Sequence, residues 1–134
     1  MSMHKQLSVF LENRPGTLAK VLRALAAKGV NLLGISIVDG VDHAVVRMVV
    51  DRVREALHVL GEAGVLAVES DIVGIPVSNS PGALAKAAAS LSKAKINIEY
   101  AYGSSGNGSE GAYLFVQTTD GKRAIRQSYP RKER

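Results

Sequence analysis

An internal repeat constrains this chain more than any other feature of its sequence. Asn13-Arg-Pro-Gly-Thr-Leu-Ala-Lys20 returns as Asn79-Ser-Pro-Gly-Ala-Leu-Ala-Lys86, at an offset of 66 residues. The match continues without a gap to Val30-Asn31-Leu32, which aligns with Ile96-Asn97-Ile98, and eight of the twenty positions from 13 to 32 are identical. Ungapped similarity at a fixed offset indicates a duplication, so we expect two copies of one small folding unit.

The first copy opens with the pattern of a strand followed by a helix. Residues 5–12 carry β-branched or large apolar side chains in alternation, which predicts a half-buried strand. Asn13 is expected to cap the next helix, and Pro15 suits the first helical turn, where its missing N–H costs nothing. Leucine and valine at spacings of three and four give this helix one apolar face, and Gly29 can end it in the left-handed conformation.

The remainder of the first copy predicts two strands, a helix and a last strand. Residues 31–50 form the two strands around the turn Asp39-Gly-Val-Asp42, and residues 52–63 are amphipathic. The apolar stretch 65–77 is too long for one strand, so we divide it at Ser70-Asp71, where the second copy begins. The order β-α-β-β-α-β predicts the ferredoxin-like plan, in which two helices cover one face of an antiparallel sheet.

The second copy repeats this order but lacks a clear last strand. A strand, a helix, two further strands and a short helix are predicted at 72–78, 81–95, 97–103, 111–118 and 120–128. Pro130 and charged residues then stand where the fourth strand is due, so that strand is missing or weak. Its loss would leave the first strand of this copy with an open edge. Because open edges are usually covered, we predict a homodimer or larger oligomer.

The sequence thus predicts an α+β protein with ferredoxin-like units at 1–70 and 71–129 and a basic tail at 130–134. The net charge of +5 comes from 17 Lys and Arg against 12 Asp and Glu. Residues 1–121 hold eleven of each sign, so the whole excess lies in residues 122–134. A neutral body disfavours nucleic-acid binding, and a basic terminus is more often solvated than bound to an acidic partner.

Composition excludes several classes of chemistry. The chain has no cysteine, which removes disulfides, thiolate nucleophiles and cysteine-bound zinc. His4, His43 and His58 lack the spacing of metal ligands, and no serine lies in a nucleophile motif. We therefore expect no enzyme activity, metal or cofactor. The start of the chain has no apolar signal core, and no apolar run approaches a membrane span, so a cytoplasmic location without membrane attachment is expected.

The repeated segment resembles the ACT domain. The resemblance rests on the strand, the Asn-x-Pro-Gly-x-Leu segment, the amphipathic helix and the Asn-Leu or Asn-Ile pair that enters the next strand, all present in both copies. It covers nearly the whole chain except the basic tail. ACT domains are allosteric sensors, usually of amino acids, and often accompany biosynthetic enzymes. The resemblance implies a regulatory protein that binds an amino acid or related metabolite at the interface between ACT units.

The resemblance also implies where the ligand binds. The loop between the first strand and the first helix ends at a helix N-terminus, whose N–H groups favour a carboxylate. Gly16 and Gly82 let the backbone approach a ligand closely, and the two asparagines offer a donor and an acceptor. Ser36, His43, Tyr100 and Tyr102 are further candidates from neighbouring strands. The predicted ligand-binding residues are Asn13, Arg14, Pro15, Gly16, Thr17, Leu18, Asn31, Asn79, Ser80, Pro81, Gly82, Ala83, Leu84 and Asn97.

Two other functions remain compatible with the same fold. The chain could be a regulatory subunit that docks on a separate biosynthetic enzyme. It could also be an RNA-binding module, since Tyr113 and Phe115 would share one face of a strand, although the first strand of that copy offers no aromatic side chain. The glycine-rich segment Gly103–Gly111 leads into a strand rather than a helix, so it predicts a long hairpin loop and not a phosphate loop.

Overall fold

The computed structural model describes residues 1–104 and 112–128. The predicted glycine-rich loop, apart from its first two residues, and the predicted basic tail lie outside this part. The elements in chain order are β1 (Ser2–Glu12), α1 (Thr17–Ala27), β2 (Leu32–Val38), β3 (His43–Val50), α2 (Val53–Glu62), β4 (Leu66–Val77), α3 (Ala83–Lys93), β5 (Ile98–Gly103), β6 (Ala112–Thr118) and α4 (Gly121–Ser128). They form an N-terminal unit, Lys5–Ser70, and a C-terminal unit, Met1–His4 together with the chain from Asp71 onward.

The N-terminal unit has the predicted ferredoxin-like topology. Its strand order is β2-β3-β1-β4, and β3 pairs antiparallel with both β1 and β2. Alternation along β1 turns its buried side chains toward the helices, where they pack with α1 and α2 in one core. That core contains Leu7, Val9, Leu25, Ala56 and Leu60, all of them buried. The α+β prediction and the two-helix layer are confirmed.

The C-terminal unit follows the same plan with three strands of its own. β6 lies between β4 and β5 and pairs antiparallel with both. Val73, Leu91, Ile96, Val116 and Ala124 form the core beneath α3 and α4. Within the described residues no strand follows β6, because α4 is the last element there. The fourth strand that the sequence predicted to be missing or weak would fall at residues 129–134, which lie outside the described part of the chain.

The predicted open edge is wrong, because the start of β1 occupies the place of the missing strand. β1 is the neighbour of β4, and Met1–His4 group with the C-terminal unit. The His4 ring meets Phe115 and Tyr113 edge-on, at centroid distances of 5.5 Å. β1 begins three residues earlier than predicted, and β4 is one strand across Ser70-Asp71. The homodimer loses this support and stays a prediction, which a monomer mass in light scattering would contradict.

The Pro-Gly pair of each copy forms a type II turn that leads into a helix. The Thr17 N–H donates to the Arg14 carbonyl at 3.4 Å, and Gly16 has a φ of 87°. The second copy repeats this geometry, with a 3.2 Å bond from Ala83 to Ser80 and a φ of 85° at Gly82. Proline second and glycine third are the residues that this turn requires. The motif therefore has a conformational role before any role in binding.

Asn13 does not cap α1, contrary to the prediction. The cap position is Gly16, because the turn delays the start of the helix until Thr17. The Asn13 side-chain amide instead donates to the Asp39 carboxylate at 2.7 Å and to the Gly40 carbonyl at 2.9 Å. Its backbone N–H donates to the Asp42 carbonyl at 3.0 Å. Asn13 thus ties the loop after β1 to the turn between β2 and β3.

Arg123, from the basic end of the sequence, has a structural role. Its guanidinium donates to the carbonyl of Ala94 at 2.7 Å and to that of Lys95 at 3.4 Å. These carbonyls lie just past the end of α3, where helical carbonyls lack partners within the helix. A positive charge at this end also complements the helix dipole. The excess of basic residues is therefore not all solvated.

His4 makes the stability of this chain depend on pH. Burial lowers the pKa of His4, because the charged ring loses hydration beside Tyr113 and Phe115. The Ser2 hydroxyl lies 2.8 Å from Nε2 and donates to it when that nitrogen is unprotonated. A folded-state pKa below the unfolded value means that the unfolded chain binds more protons. The stability is present above the unfolded value of about 6.5 and is lost as the pH falls from there through the lower pKa of the folded state.

We expect His4→Gln to reduce the loss of stability between pH 7 and pH 5. Urea denaturation at each pH measures the difference in free energy of unfolding. His58→Gln is the control, since His58 lies exposed on α2 beside Glu62 and should leave the loss at its wild-type size. Equal pH dependence in the wild type and in His4→Gln would contradict the assignment.

Candidate functional site

A groove of about 780 Å³ runs beside the loop after β1 and the first turns of α1. Phe10, Leu11 and Val21 supply apolar walls, and the segment 63–66 closes one side. The turn residues Arg14–Thr17 form part of the lining, so the type II turn shapes it directly. The ionisable side chains that line this N-terminal groove are Glu12, Arg14, Lys20, Arg23 and His43.

The electrostatic character of the N-terminal groove favours an anion. Nε and Nη2 of Arg14 both donate to one carboxylate oxygen of Glu12, at 3.0 and 2.6 Å. The two side chains are 69% and 60% exposed, so a ligand can reach the pair. Lys20 and Arg23 add positive charge that Glu12 alone does not balance. The N-terminus of α1 adds further positive potential.

A second groove of about 770 Å³ lies at the equivalent place in the C-terminal unit. The turn residues Ser80–Ala83 line it, and Lys86 stands at the position that Lys20 has in the first copy. The hydroxyls of Ser78 and Ser80 lie 2.8 Å apart at the positions of Glu12 and Arg14. Met1 also lines this C-terminal groove.

Comparison with models of known protein families shows to which family this chain with its two grooves belongs. The family model described as the ACT domain pair matches residues 1–128. This chain belongs to the ACT domain pair family. ACT domains are regulatory modules without catalytic function, and the tandem arrangement of the two units agrees with that family. A search of curated proteins gave no match.

Solved structures support the same assignment. Protein BT0572 from Bacteroides thetaiotaomicron is 33% identical, with a TM-score of 0.84 over 93% of this chain and 85% of that one. The ligand-free regulatory subunit of aspartate kinase from Thermus thermophilus is 23% identical, with a TM-score of 0.68 over 98% and 96% of the two chains. The corresponding subunit from Thermus flavus is 24% identical, with a TM-score of 0.60 over 94% and 92%. The two kinase subunits share the fold of this ACT pair.

The structure brings eight of the predicted site residues to the two grooves. Arg14, Pro15, Gly16 and Thr17 line the first, and Ser80, Pro81, Gly82 and Ala83 line the second. The others are placed differently. Leu18 packs against the N-terminal core, Leu84 is 53% exposed, Asn79 is exposed between two lining positions, and Asn13 is bonded to the β2–β3 turn.

Asn31 and Asn97 lie away from the groove of their own unit. The backbone N–H of Asn31 donates to the Asp51 carboxylate at 2.9 Å, next to the far end of β3. His43, at the other end of that strand, borders the groove. Val50 is seven residue steps from His43 along the strand, a distance of roughly 23 Å. The carbonyl of Asn97 accepts from Thr119, likewise beyond the end of β6 remote from its groove. Neither asparagine joins the groove residues within its unit.

The sequence also contained signals for residues that were not predicted. Lys20 recurs as Lys86, and each lysine lines its groove. Glu12, which was not predicted, also lines the N-terminal groove and forms an ion pair with Arg14. His43 lines the N-terminal groove, as the sequence suggested, whereas Ser36, Tyr100 and Tyr102 are not among the residues lining either groove.

The described part of the ACT pair gives little support to the hypothesis that the protein binds RNA. Tyr113 and Phe115 do stack, at 5.6 Å and 9° between planes, but Phe115 is 0% exposed and Tyr113 is 37% exposed. Stacking platforms for bases need open aromatic faces. Across residues 1–104 and 112–128, no cluster of three or more His, Cys, Asp or Glu could hold a metal. No helix in those same ranges is long and apolar enough to cross a membrane.

Proposed function

We propose that this ACT pair is an amino-acid sensor whose ligands bind in the grooves beside the two Pro-Gly turns and whose ligand state regulates a partner protein. The observation that carries the proposal is the repetition of the groove. Both units build it from the same strand–turn–helix segment, with a lysine at the same repeat position inside the helix. Membership of the ACT domain pair family supports an amino acid as the ligand class.

The ligand carboxylate binds at the helix N-terminus. N–H groups in the first turn of a helix lack partners inside the helix, and the residues Arg14–Thr17 that lead into α1 line the groove. Gly16 leaves this backbone open, since a Cβ built there would meet no atom within 4 Å. Lys20, one turn further along α1, supplies a positive charge on the same groove wall. The same elements recur at Gly82 and Lys86 in the other unit.

The ligand ammonium binds at the groove mouth of the N-terminal unit. Glu12 offers carboxylate oxygens there, and Arg14 occupies only one of them through both of its short contacts. A zwitterion would therefore find an anion and cations within one groove. In the C-terminal groove the hydroxyls of Ser78 and Ser80 are the corresponding acceptors.

Regulation follows from a shift between arrangements of the protein. A ligand moves such an equilibrium only when it binds one arrangement more tightly than another. Two proteins with this fold are named as regulatory subunits of aspartate kinase. By analogy we propose that a separate biosynthetic enzyme is the partner of this chain and senses its ligand state.

Lys20→Met tests the carboxylate site. A thermal-shift screen against the twenty amino acids identifies ligands, because binding to the native state raises the melting temperature. Calorimetry then measures affinity. Loss of a charge-assisted hydrogen bond of about 1.5–3 kcal/mol predicts at least roughly tenfold weaker binding to the N-terminal groove. Lys86→Met should weaken the C-terminal groove in the same way.

Lys28→Met is the matched control for these variants. Lys28 is exposed at the opposite end of α1 and does not line the groove. It should leave both the affinity and the number of sites unchanged. The proposal would be contradicted if no amino acid raised the melting temperature at millimolar concentration, or if Lys28→Met weakened binding as much as Lys20→Met.

A further inference from the structure

The two grooves of this ACT pair differ chemically at one matched pair of positions. In the N-terminal groove Glu12 and Arg14 form an ion pair with a shortest N–O distance of 2.6 Å. In the C-terminal groove Ser78 and Ser80 hold the same repeat positions and form a 2.8 Å contact between hydroxyls. The fold thus keeps a side-chain pair at each groove mouth but changes it from charged to neutral.

The surrounding charges reinforce this difference. Arg14, Lys20 and Arg23 stand against Glu12 in the N-terminal groove. The described lining of the C-terminal groove contains one residue of the types Lys, Arg, Asp and Glu, which is Lys86. The repeat places Ala89 opposite Arg23, so the second groove lacks that guanidinium. Lysine at the helix position is common to both, whereas the arginines belong to the N-terminal groove.

Arginine is suited to a second carboxylate in the ligand. Arg14 uses two of its nitrogens on one oxygen of Glu12, which leaves the hydrogens on Nη1 outside that ion pair. Guanidinium groups bind carboxylates through two parallel hydrogen bonds, which a hydroxyl cannot reproduce. The described lining of the C-terminal groove holds no arginine: its cationic groups are Lys86 and the Met1 amino group, whose pKa burial lowers. A second carboxylate would lose hydration there without gaining a guanidinium partner, and that is costly.

We propose that the N-terminal groove selects an amino acid with an acidic side chain, whereas the C-terminal groove selects one with an uncharged side chain. The inference rests on the proposed function, since both grooves must bind amino acids. The α-carboxylate lies at the helix N-terminus and the lysine in each groove. The side-chain carboxylate lies at Arg14 and Arg23, in the N-terminal groove alone. One chain then responds to two different ligands.

Calorimetry with matched ligands tests this assignment. L-aspartate and L-glutamate are compared with L-asparagine and L-glutamine, which are close to them in shape but carry no side-chain charge. In the wild type we expect one acidic-ligand site per chain, with at least roughly tenfold preference over the corresponding amide. The double variant Glu12→Ser with Arg14→Ser gives the mouth of the first groove the side-chain pair of the second and should abolish that preference, although Arg23 remains.

The reciprocal double variant, Ser78→Glu with Ser80→Arg, supplies the gain-of-function arm. It should raise the number of acidic-ligand sites per chain from one to two. Both double variants change exposed side chains, and circular dichroism melts verify that each one folds. Lys28→Met again serves as the control for a charge change outside the grooves and should keep the wild-type preference.

The outcomes separate this inference from the proposed function. If no amino acid binds the wild type, both fail. If amino acids bind but the preference for the acidic ligand is absent, or survives Glu12→Ser with Arg14→Ser, the division of ligands is overturned while the sensor function stands. Loss of the preference in that variant together with the added site in the reciprocal variant supports the assignment of acidic and uncharged ligands to the two grooves.

Discussion

Replacing Leu91 with alanine is expected to lower the free energy of unfolding by about 2–5 kcal/mol. Leu91 is 1% exposed, and its side chain lies in the core of the C-terminal unit with Val73, Ile96 and Val116. The substitution removes buried apolar surface and leaves a cavity that the close-packed surroundings fill only in part. Urea denaturation followed by circular dichroism measures the loss.

Leu84→Ala is the matched control, because the same substitution is made in the same helix. Leu84 is 53% exposed, so its truncation should change stability by less than about 0.5 kcal/mol. Leu25 is the repeat counterpart of Leu91 and is 0% exposed, so Leu25→Ala should cost as much in the N-terminal unit. A loss at Leu84 equal to that at Leu91 would show that α3 turns a different face to the sheet.

The helices and most strands could be predicted from sequence, because in each of them the buried and the exposed side chains alternate with a regular spacing. The apolar spacing around Leu25 and the alternation along β1 are local patterns, and burial of one face follows from each of them. The repeat then gave each element a second, independent copy. The type II turns are also encoded locally, because Pro15-Gly16 and Pro81-Gly82 carry the residues that such a turn needs. The expectation that Pro15 lies in the first helical turn was wrong, since α1 begins at Thr17.

The start of β1 could not be predicted, because its cause is not local. Ser2-Met3-His4 shows no alternation of its own, and its neighbour β4 is about seventy residues away in the chain. The segment is ordered as a strand because it lies beside β4, whose edge offers a ladder of backbone groups that no other strand fills within residues 1–104 and 112–128.

The position of the candidate site could be predicted from sequence, but the contacts of its polar side chains could not. Its position followed from the Pro-Gly motif, but the partners of its polar side chains depend on which loops meet. Asn13 had the chemistry of a helix cap, yet the turn between β2 and β3 lies within reach of its amide. Lys20 lies on α1, but the groove that it lines is formed together with residues from other elements, which the helix pattern alone does not specify. Such pairings arise from tertiary contacts.

Replacing Gly74 with valine is the second change for which we expect a large effect. Gly74 lies buried in β4, and a Cβ built there would lie 2.6 Å from Cδ2 of His4 and 3.3 Å from Phe115. Phe115 is 0% exposed and has little room to move, so the His4 ring must leave. Valine adds two further methyl groups, and overpacking of this kind costs about 1–3 kcal/mol or more. The first residues of β1 should then separate from β4.

Hydrogen exchange distinguishes that separation from a general loss of stability. In Gly74→Val the amides of residues 2–4 should lose protection first, because the valine displaces the strand that fills the fourth position. Ser8→Val is the control, since Ser8 holds the repeat position of Gly74 and is half-buried in the N-terminal unit, where a β-branched side chain suits a strand. If residues 2–4 kept their protection in Gly74→Val, His4 would not be the group that holds them, and the pH dependence assigned to His4 would lose its basis as well.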